Sequence, residues 1–199
     1  MAAPIEGDGR TGDVRDVGRP DAMTCIVVKD RTPNRMKIFV TVILLLVSSI
    51  ASFAEDSAVK VDKLVVYKHE RKLVLLSHDK EVKTYRVALG GEPVGPKTRY
   101  GDHRTPEGSY VLDSRNPNSH FYKAFHISYP NATDVANAKK LGVSPGGDIM
   151  LHGLPKEYAW VGKEHTHADW TDGCIAVANE EMDELWKLVP VGTPIEIKP

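Results

Sequence analysis

The sequence predicts a mainly β protein with one or two short helices. From Lys63 onward, short runs rich in β-branched and aromatic residues, LVVYK, LVLLS and VKTYRVAL, alternate with the polar turn segments HERK and HDKE, the pattern of an antiparallel meander. Comparable runs follow at Ser109–Leu112, HFYKAFHISY, DIML and Thr193–Ile197, bringing the expected count to about seven strands. Helical patterning is confined to two places. One segment is capped at Thr133 or Asp134 and stops at Leu141-Gly142. The other is capped at Asn179 and places Met182, Leu185, Trp186 and Val189 at i, i+3, i+4 and i+7. Glu180, Glu181 and Asp183 are expected in its first turn, where the helix dipole favours negative charge and the residues serve stability.

The chain divides unevenly. Residues 1–35 are rich in Gly, Asp, Arg and Pro and read as a disordered extension, or as a start assigned upstream of the true one at Met36. Residues 36–54 read as a signal peptide: Lys37 is a positive flank, Ile38 to Ile50 an apolar run, and Ser52-Phe53-Ala54 a cleavage site before Glu55. An uncleaved anchor is the alternative, although the run is short for a membrane span. Residues 60–199 form the folded domain, expected to act outside the cytoplasm, in the periplasm or cell-wall space. With 26 Lys+Arg against 27 Asp+Glu there is no basic stripe for nucleic acid. No phosphate-binding loop or dinucleotide fingerprint is present either.

The stretch DIMLHGLPKEYAWVGKEHTHADWTDGCIAV, Asp148 to Val177, carries the chemistry. Cys174 is the only cysteine after the apolar run; Cys25 lies upstream of the cleavage site. A free cysteine is often a small apolar core residue. Here the flanking WTDG is polar, which suits a reactive thiol in a partly open site. Gly173 permits a tight turn into Cys174-Ile175-Ala176-Val177, so the amides of Asp172, Gly173 and Cys174 are expected to converge on one point as an oxyanion site. Upstream, Ile149-Met150-Leu151 delivers His152 and Gly153 at a strand end. A rival assembly of His165, His167, His152 and Asp172 would instead be a zinc site.

Three motifs support a family resemblance over nearly all of residues 60–199: the opening meander with ALG and GPK, then GDHRTPEGSY, then LHG followed by TDGCIAV. Together they resemble the L,D-transpeptidase catalytic domain, also called YkuD-like. That resemblance implies two curved mixed β-sheets in a sandwich or barrel-like arrangement, and cysteine acyl transfer on peptidoglycan stem peptides. It implies Cys174 as nucleophile and His152 as base, oriented by the backbone carbonyl of Gly153. No cofactor or metal is implied. The expected partners are stem peptides, with a wall-attached lipoprotein as a further acceptor, and the expected state is a monomer.

The chain departs from the family pattern in two places. The histidine that precedes Gly-Cys is Asp172 here, and a frequent arginine two residues after the cysteine is Ala176. The spacer between His152 and Thr171 is also slightly long. Asp172 is expected to bond backbone amides in its turn, with orientation of His165 or His167 as the alternative. These departures leave open whether the thioester is resolved by an amine or by water, and whether the domain is instead a non-catalytic wall-binding module. In GDHRTPEGSY, Thr105, Pro106 and Gly108 read as structural.

Overall fold

The computed structural model describes residues 60–199. The proposed leader at 36–54 and the segment 1–35 lie outside the described residues. The chain runs β1 (Lys63–Tyr67), β2 (Lys72–Ser77), β3 (Lys80–Arg86), β4 (Gly108–Ser119), β5 (Tyr122–Ile127), α1 (Ala132–Lys140), β6 (Met150–His152), a 3-10 segment (Lys156–His167), β7 (Ile175–Ala176), α2 (Asn179–Leu188) and β8 (Pro194–Lys198). All eight strands belong to one curled sheet in the order β3-β2-β1-β8-β4-β5-β6-β7.

The two curved sheets that the family resemblance implies are the two halves of this one sheet, and β4 belongs to both. Gly108 to Val111 pairs with β8, whereas Leu112 to Ser119 pairs with β5. The meander β1-β2-β3 is antiparallel as expected; among the described residues the strand pairs β1–β8 and β6–β7 are parallel, as is the isolated bridge between Gly90 and Thr171. Beyond β3 the chain crosses to the opposite edge: Ala88 and Ala176 exchange hydrogen bonds of 2.9 Å in each direction, and Thr171 N–H donates to Leu89 O at 3.1 Å. The sheet is thereby curled until its edges meet beside β7.

Period-two alternation builds the core. Leu64 and Val66, Leu73 and Leu75, Phe125 and Ile127, and Ile195 and Ile197 are buried within one apolar cluster. Each such side chain contributes about 1.5–3 kcal/mol when fully buried. The helical face expected over 182–189 seats Met182, Leu185 and Val189 in this cluster, with Trp186 lying 5.2 Å from Phe125. Arg115 places its guanidinium 4.9 Å from both rings, so its planar cation covers their outer faces.

Helix starts differ from the sequence reading. α1 is capped by Asn131, whose Oδ1 accepts from Thr133 and Asp134 N–H while the Asp134 carboxylate accepts from Asn131 N–H. The box places the cap two residues before Thr133. α2 starts after Ala178, whose N–H donates to Glu181 Oε2 at 3.2 Å. Asn179 is therefore the first helical residue and not the cap. Asp183 lies past the first turn and bonds Lys123 and Tyr122 instead.

The 87–107 loop is clipped to the sheet by Lys68, only 2% exposed. Its ammonium donates to Gly95 O, Thr105 O and Glu107 Oε1 at 2.6, 2.9 and 2.7 Å. Burial pushes its pKa down while Glu107 opposes that shift. Thr105, read as structural, is fully buried and accepts Gly90 N–H at 3.0 Å. Among the described residues no helix is long and apolar enough to cross a membrane.

Candidate active site

The site is built on the short parallel pair β6–β7. Its register sets Leu151 against Ile175 and His152 against Ala176. Cys174 therefore stands opposite Met150, two residues from Ala176, and the period of two puts Cys174 and His152 on the same side of the sheet.

His152 is 3% exposed. Its Nδ1–H donates to Gly153 O at 2.7 Å, and since a carbonyl only accepts, Nε2 is left as the basic nitrogen. Phe121 packs on the ring at 4.6 Å and Trp170 meets it edge-on at 5.9 Å. Burial pulls the pKa down to about 4 against the opposing Gly153 bond, and His165 lowers it further. The imidazole is thus neutral at pH 7. The corner that carries Gly153 O is itself held. Gly153 N–H donates to Phe121 O at 3.1 Å, and Leu154 N–H donates to Asn179 Oδ1 at 2.7 Å. A Cβ on Gly153 would lie 2.4 Å from that same oxygen, so a side chain there would displace the Asn179 amide from Leu154 N–H.

Cys174 is a free, partly exposed thiol. Sγ accepts Met150 N–H at 3.4 Å and faces Asp148 O at 3.7 Å. Asp148 holds that carbonyl from a left-handed conformation, φ +56°, uncommon outside glycine and enriched for Asp and Asn. Burial pushes the thiol pKa up; the Met150 N–H and Lys97 oppose this, and Asp172 and Asp148 add to it. A raised thiol facing a lowered imidazole means that the resting pair is neutral rather than a thiolate beside an imidazolium. In the described residues Sγ makes no hydrogen bond to His152; its partners are Met150 N–H and Asp148 O. Catalytic bonds commonly tighten only when substrate binds.

The turn before Cys174 is locked by Thr171. Its hydroxyl donates to Cys174 O at 2.7 Å and accepts Gly173 N–H at 3.1 Å. Gly173 has φ +121°, and a Cβ there would sit 2.6 Å from Arg104 O, so the position admits only glycine. This corrects the expected oxyanion site. The Gly173 amide is spent on Thr171, and the amides of Asp172 and Cys174, which have no protein acceptor among the described residues, are the donors left.

Asp172 is corrected too. Among the described residues it bonds neither turn amides nor His165 or His167. Its Oδ1 pairs with His103 Nδ1 at 2.7 Å, in the open, with side-chain exposures of 90% and 55%. His165 Nδ1 accepts from Trp170 Nε1 at 3.3 Å and His167 lies 3.9 Å from Glu164. The four residues considered for zinc are therefore not gathered, and the described residues hold no group of three or more His, Cys, Asp or Glu suited to a metal.

Two clefts flank the dyad. One, about 290 Å³, contains Cys174 with Lys97, Tyr100, His103, Asp148 and Asp172. The other, about 450 Å³, is apolar and lined by Phe121, Leu154, Tyr158, Val161, His165 and Trp170. It meets the site through the two rings that cradle His152. Sequence reasoning missed Thr171, His103, Asn179 and this aromatic cradle. Thr-x-Gly was a readable turn signal for Thr171, whereas His103 and Phe121 reach the site only through tertiary contact.

A histidine tied to its neighbour's carbonyl, set beside a cysteine on a curled β-sheet, is an arrangement suited to nucleophilic acyl transfer. Comparison with known proteins makes this specific. The L,D-transpeptidase catalytic domain family, YkuD, matches residues 62–197, and the chain belongs to it. YafK of Escherichia coli K12, named "Putative L,D-transpeptidase", is 30% identical over 131 residues, 62% of this chain and 45% of YafK. YqjB of Bacillus subtilis, likewise named, is 26% identical over 166 residues, covering 81% of this chain and 85% of YqjB. The helical cell shape determining protein Pgp2 of Campylobacter jejuni shares the fold at TM-score 0.53 and 23% identity, over 78% of this chain and 55% of Pgp2. The chain thus spans about half the length of YafK.

Proposed function

We propose that this protein cleaves peptidoglycan stem peptides at a bond between an L-centre and a D-residue, and passes the acyl group through a thioester on Cys174. The observation that carries the reading is the His152–Gly153 bond at 2.7 Å, on the same side of the β6–β7 pair as Cys174. It fixes a neutral imidazole with Nε2 free as a base. His152 Nε2 takes the thiol proton as Sγ attacks the carbonyl carbon. Charge gathers on the carbonyl oxygen, where the amides of Cys174 and Asp172 receive it; one such donor contributes about 3 kcal/mol. The imidazolium then gives its proton to the departing amine, leaving the thioester.

An amine from another stem or from a wall-attached lipoprotein resolves the thioester by transfer, and water resolves it by hydrolysis. The reading includes export as a chain beginning at Glu55 and action as a monomer. The test is incubation of the mature protein with muropeptides and resolution of products by mass. Cross-linked or exchanged stems are expected from the wild type and not from Cys174→Ala. Turnover that survives Cys174→Ala overturns the thioester route. Shortened stems alone assign hydrolysis.

A further inference from the structure

The GPK motif supplies a cation that the proposed chemistry leaves unused. Lys97 is 7% exposed and borders the cleft that holds Cys174. Its stem packs on Gly146, where a Cβ would lie 3.6 Å from Lys97 Cε. Among the described residues its ammonium has one acceptor, Asp102 Oδ1 at 2.7 Å. Lys68 is the control inside the same fold: similarly buried, it spends all three protons on three acceptors. Asp102 is also shared. Its carboxylate accepts Thr98 and Arg99 N–H on Oδ2 at 2.8 and 3.1 Å, and Arg104 N–H on Oδ1 at 3.2 Å. Lys97 is thus a nearly dry ammonium with two N–H groups unspent at the edge of a cleft, a position that an anion in the cleft would stabilise. The other charges on that cleft are Asp148 and Asp172, and Asp172 is tied to His103.

We propose that Lys97 is the anion anchor of the Cys174 cleft and receives a carboxylate that the acyl donor carries next to its scissile carbonyl. The substrate half of this statement rests on the acyl-transfer reading above. The anchor itself does not, because it acts on any anion that approaches Sγ. A cleft of about 290 Å³ accommodates a group of amino-acid size. Lys97 would then set the orientation of the donor, while Asp148 and Asp172 on the same cleft keep anions from settling elsewhere.

The test compares alkylation of Cys174 by iodoacetate, an anion, with alkylation by the neutral iodoacetamide, at low ionic strength and with glutathione as reference. The wild type is expected to show an iodoacetate-to-iodoacetamide ratio at least about tenfold above that of glutathione, a preference that salt erodes. Lys97→Arg should keep it and Lys97→Met should abolish it. Because Lys97→Met strands the Asp102 carboxylate, Lys97→Met combined with Asp102→Asn provides a neutral pair whose amide oxygen still accepts backbone N–H groups. Thermal melting confirms its fold. A wild-type ratio equal to that of glutathione overturns the proposal, as does a ratio that persists in the double variant or is lost in Lys97→Arg. Failure of muropeptide turnover with the ratio contrast intact would overturn the activity and leave the anchor standing. Turnover with a flat ratio would do the reverse.

Discussion

Two imidazoles stand at this site, each with Nδ1 held 2.7 Å from an oxygen, and their surroundings give them opposite characters. His152 is tied to the neutral carbonyl of Gly153, walled by Phe121 and Trp170, and 3% exposed. His103 is tied to the carboxylate of Asp172 and its side chain is 55% exposed. The same hydrogen-bond length therefore says nothing of role. A dry ring on a carbonyl is kept neutral with one nitrogen ready to take a proton, whereas a wet ring on a carboxylate belongs to the rim and to whatever approaches it.

The largest effect that would break this contrast is on turnover. His152→Gln should lower kcat/KM by about 10² or more, the range that a positioned general base contributes, while His103→Gln should change it by less than about tenfold. Steady-state kinetics on muropeptides decides it. Equal losses would make the rim imidazole part of the proton path.

The second effect is on stability. His152 titrates at about 4 in the fold and near 6.5 in the unfolded chain. Between those values the unfolded chain binds a proton that the fold refuses. The stability is therefore complete above pH 6.5 and drains away as pH falls toward 4, by about 3 kcal/mol from this one group. Urea unfolding of wild type and His152→Gln at pH 7 and pH 4.5 should show the variant losing less.

A smaller effect sharpens the support of the buried ring. Asn179→Ala removes the acceptor of Leu154 N–H and should cost about 1–2 kcal/mol. If Asn179 positions the corner that carries Gly153 O, kcat falls beyond what unfolding explains and Asn179→Asp, which keeps the oxygen, restores it. Restoration of stability without kcat would reduce Asn179 to a structural part.

How much of this was legible in the sequence follows the reach of each interaction. Strands came through because alternation within β1, β2 and β5 is local, and the α2 face because Met182, Leu185 and Val189 share one helical stripe. The placement of Cys174, His152 and Gly153 at the ends of β6 and β7 was readable from the LHG and TDGC motifs, whose fixed neighbours carry the geometry. Asn179 was misread because a capping residue and a residue that reaches back to Leu154 look alike in sequence. The curl of the sheet depends on Ala88 meeting Ala176, and Asp172 depends on His103, 69 residues away; no local pattern encodes either.

The smallest expected effect concerns the rim pair. Asp172 raises the Cys174 thiol pKa, but it ranks behind burial and the Met150 N–H among the causes, and its side chain is 90% exposed, so water screens it. Asp172→Asn removes the charge while its amide oxygen can still accept from His103. The rate of iodoacetamide labelling against pH should therefore shift to lower pH by less than about one unit, the scale of one screened charge at a few ångströms. A larger downward shift would mean that the carboxylate acts on the thiol through a drier path than its exposure implies. An upward shift would mean that the Asp172–His103 pair acts on Sγ as a unit, and the contrast between a buried and a rim imidazole would give way to two imidazoles acting on one thiol.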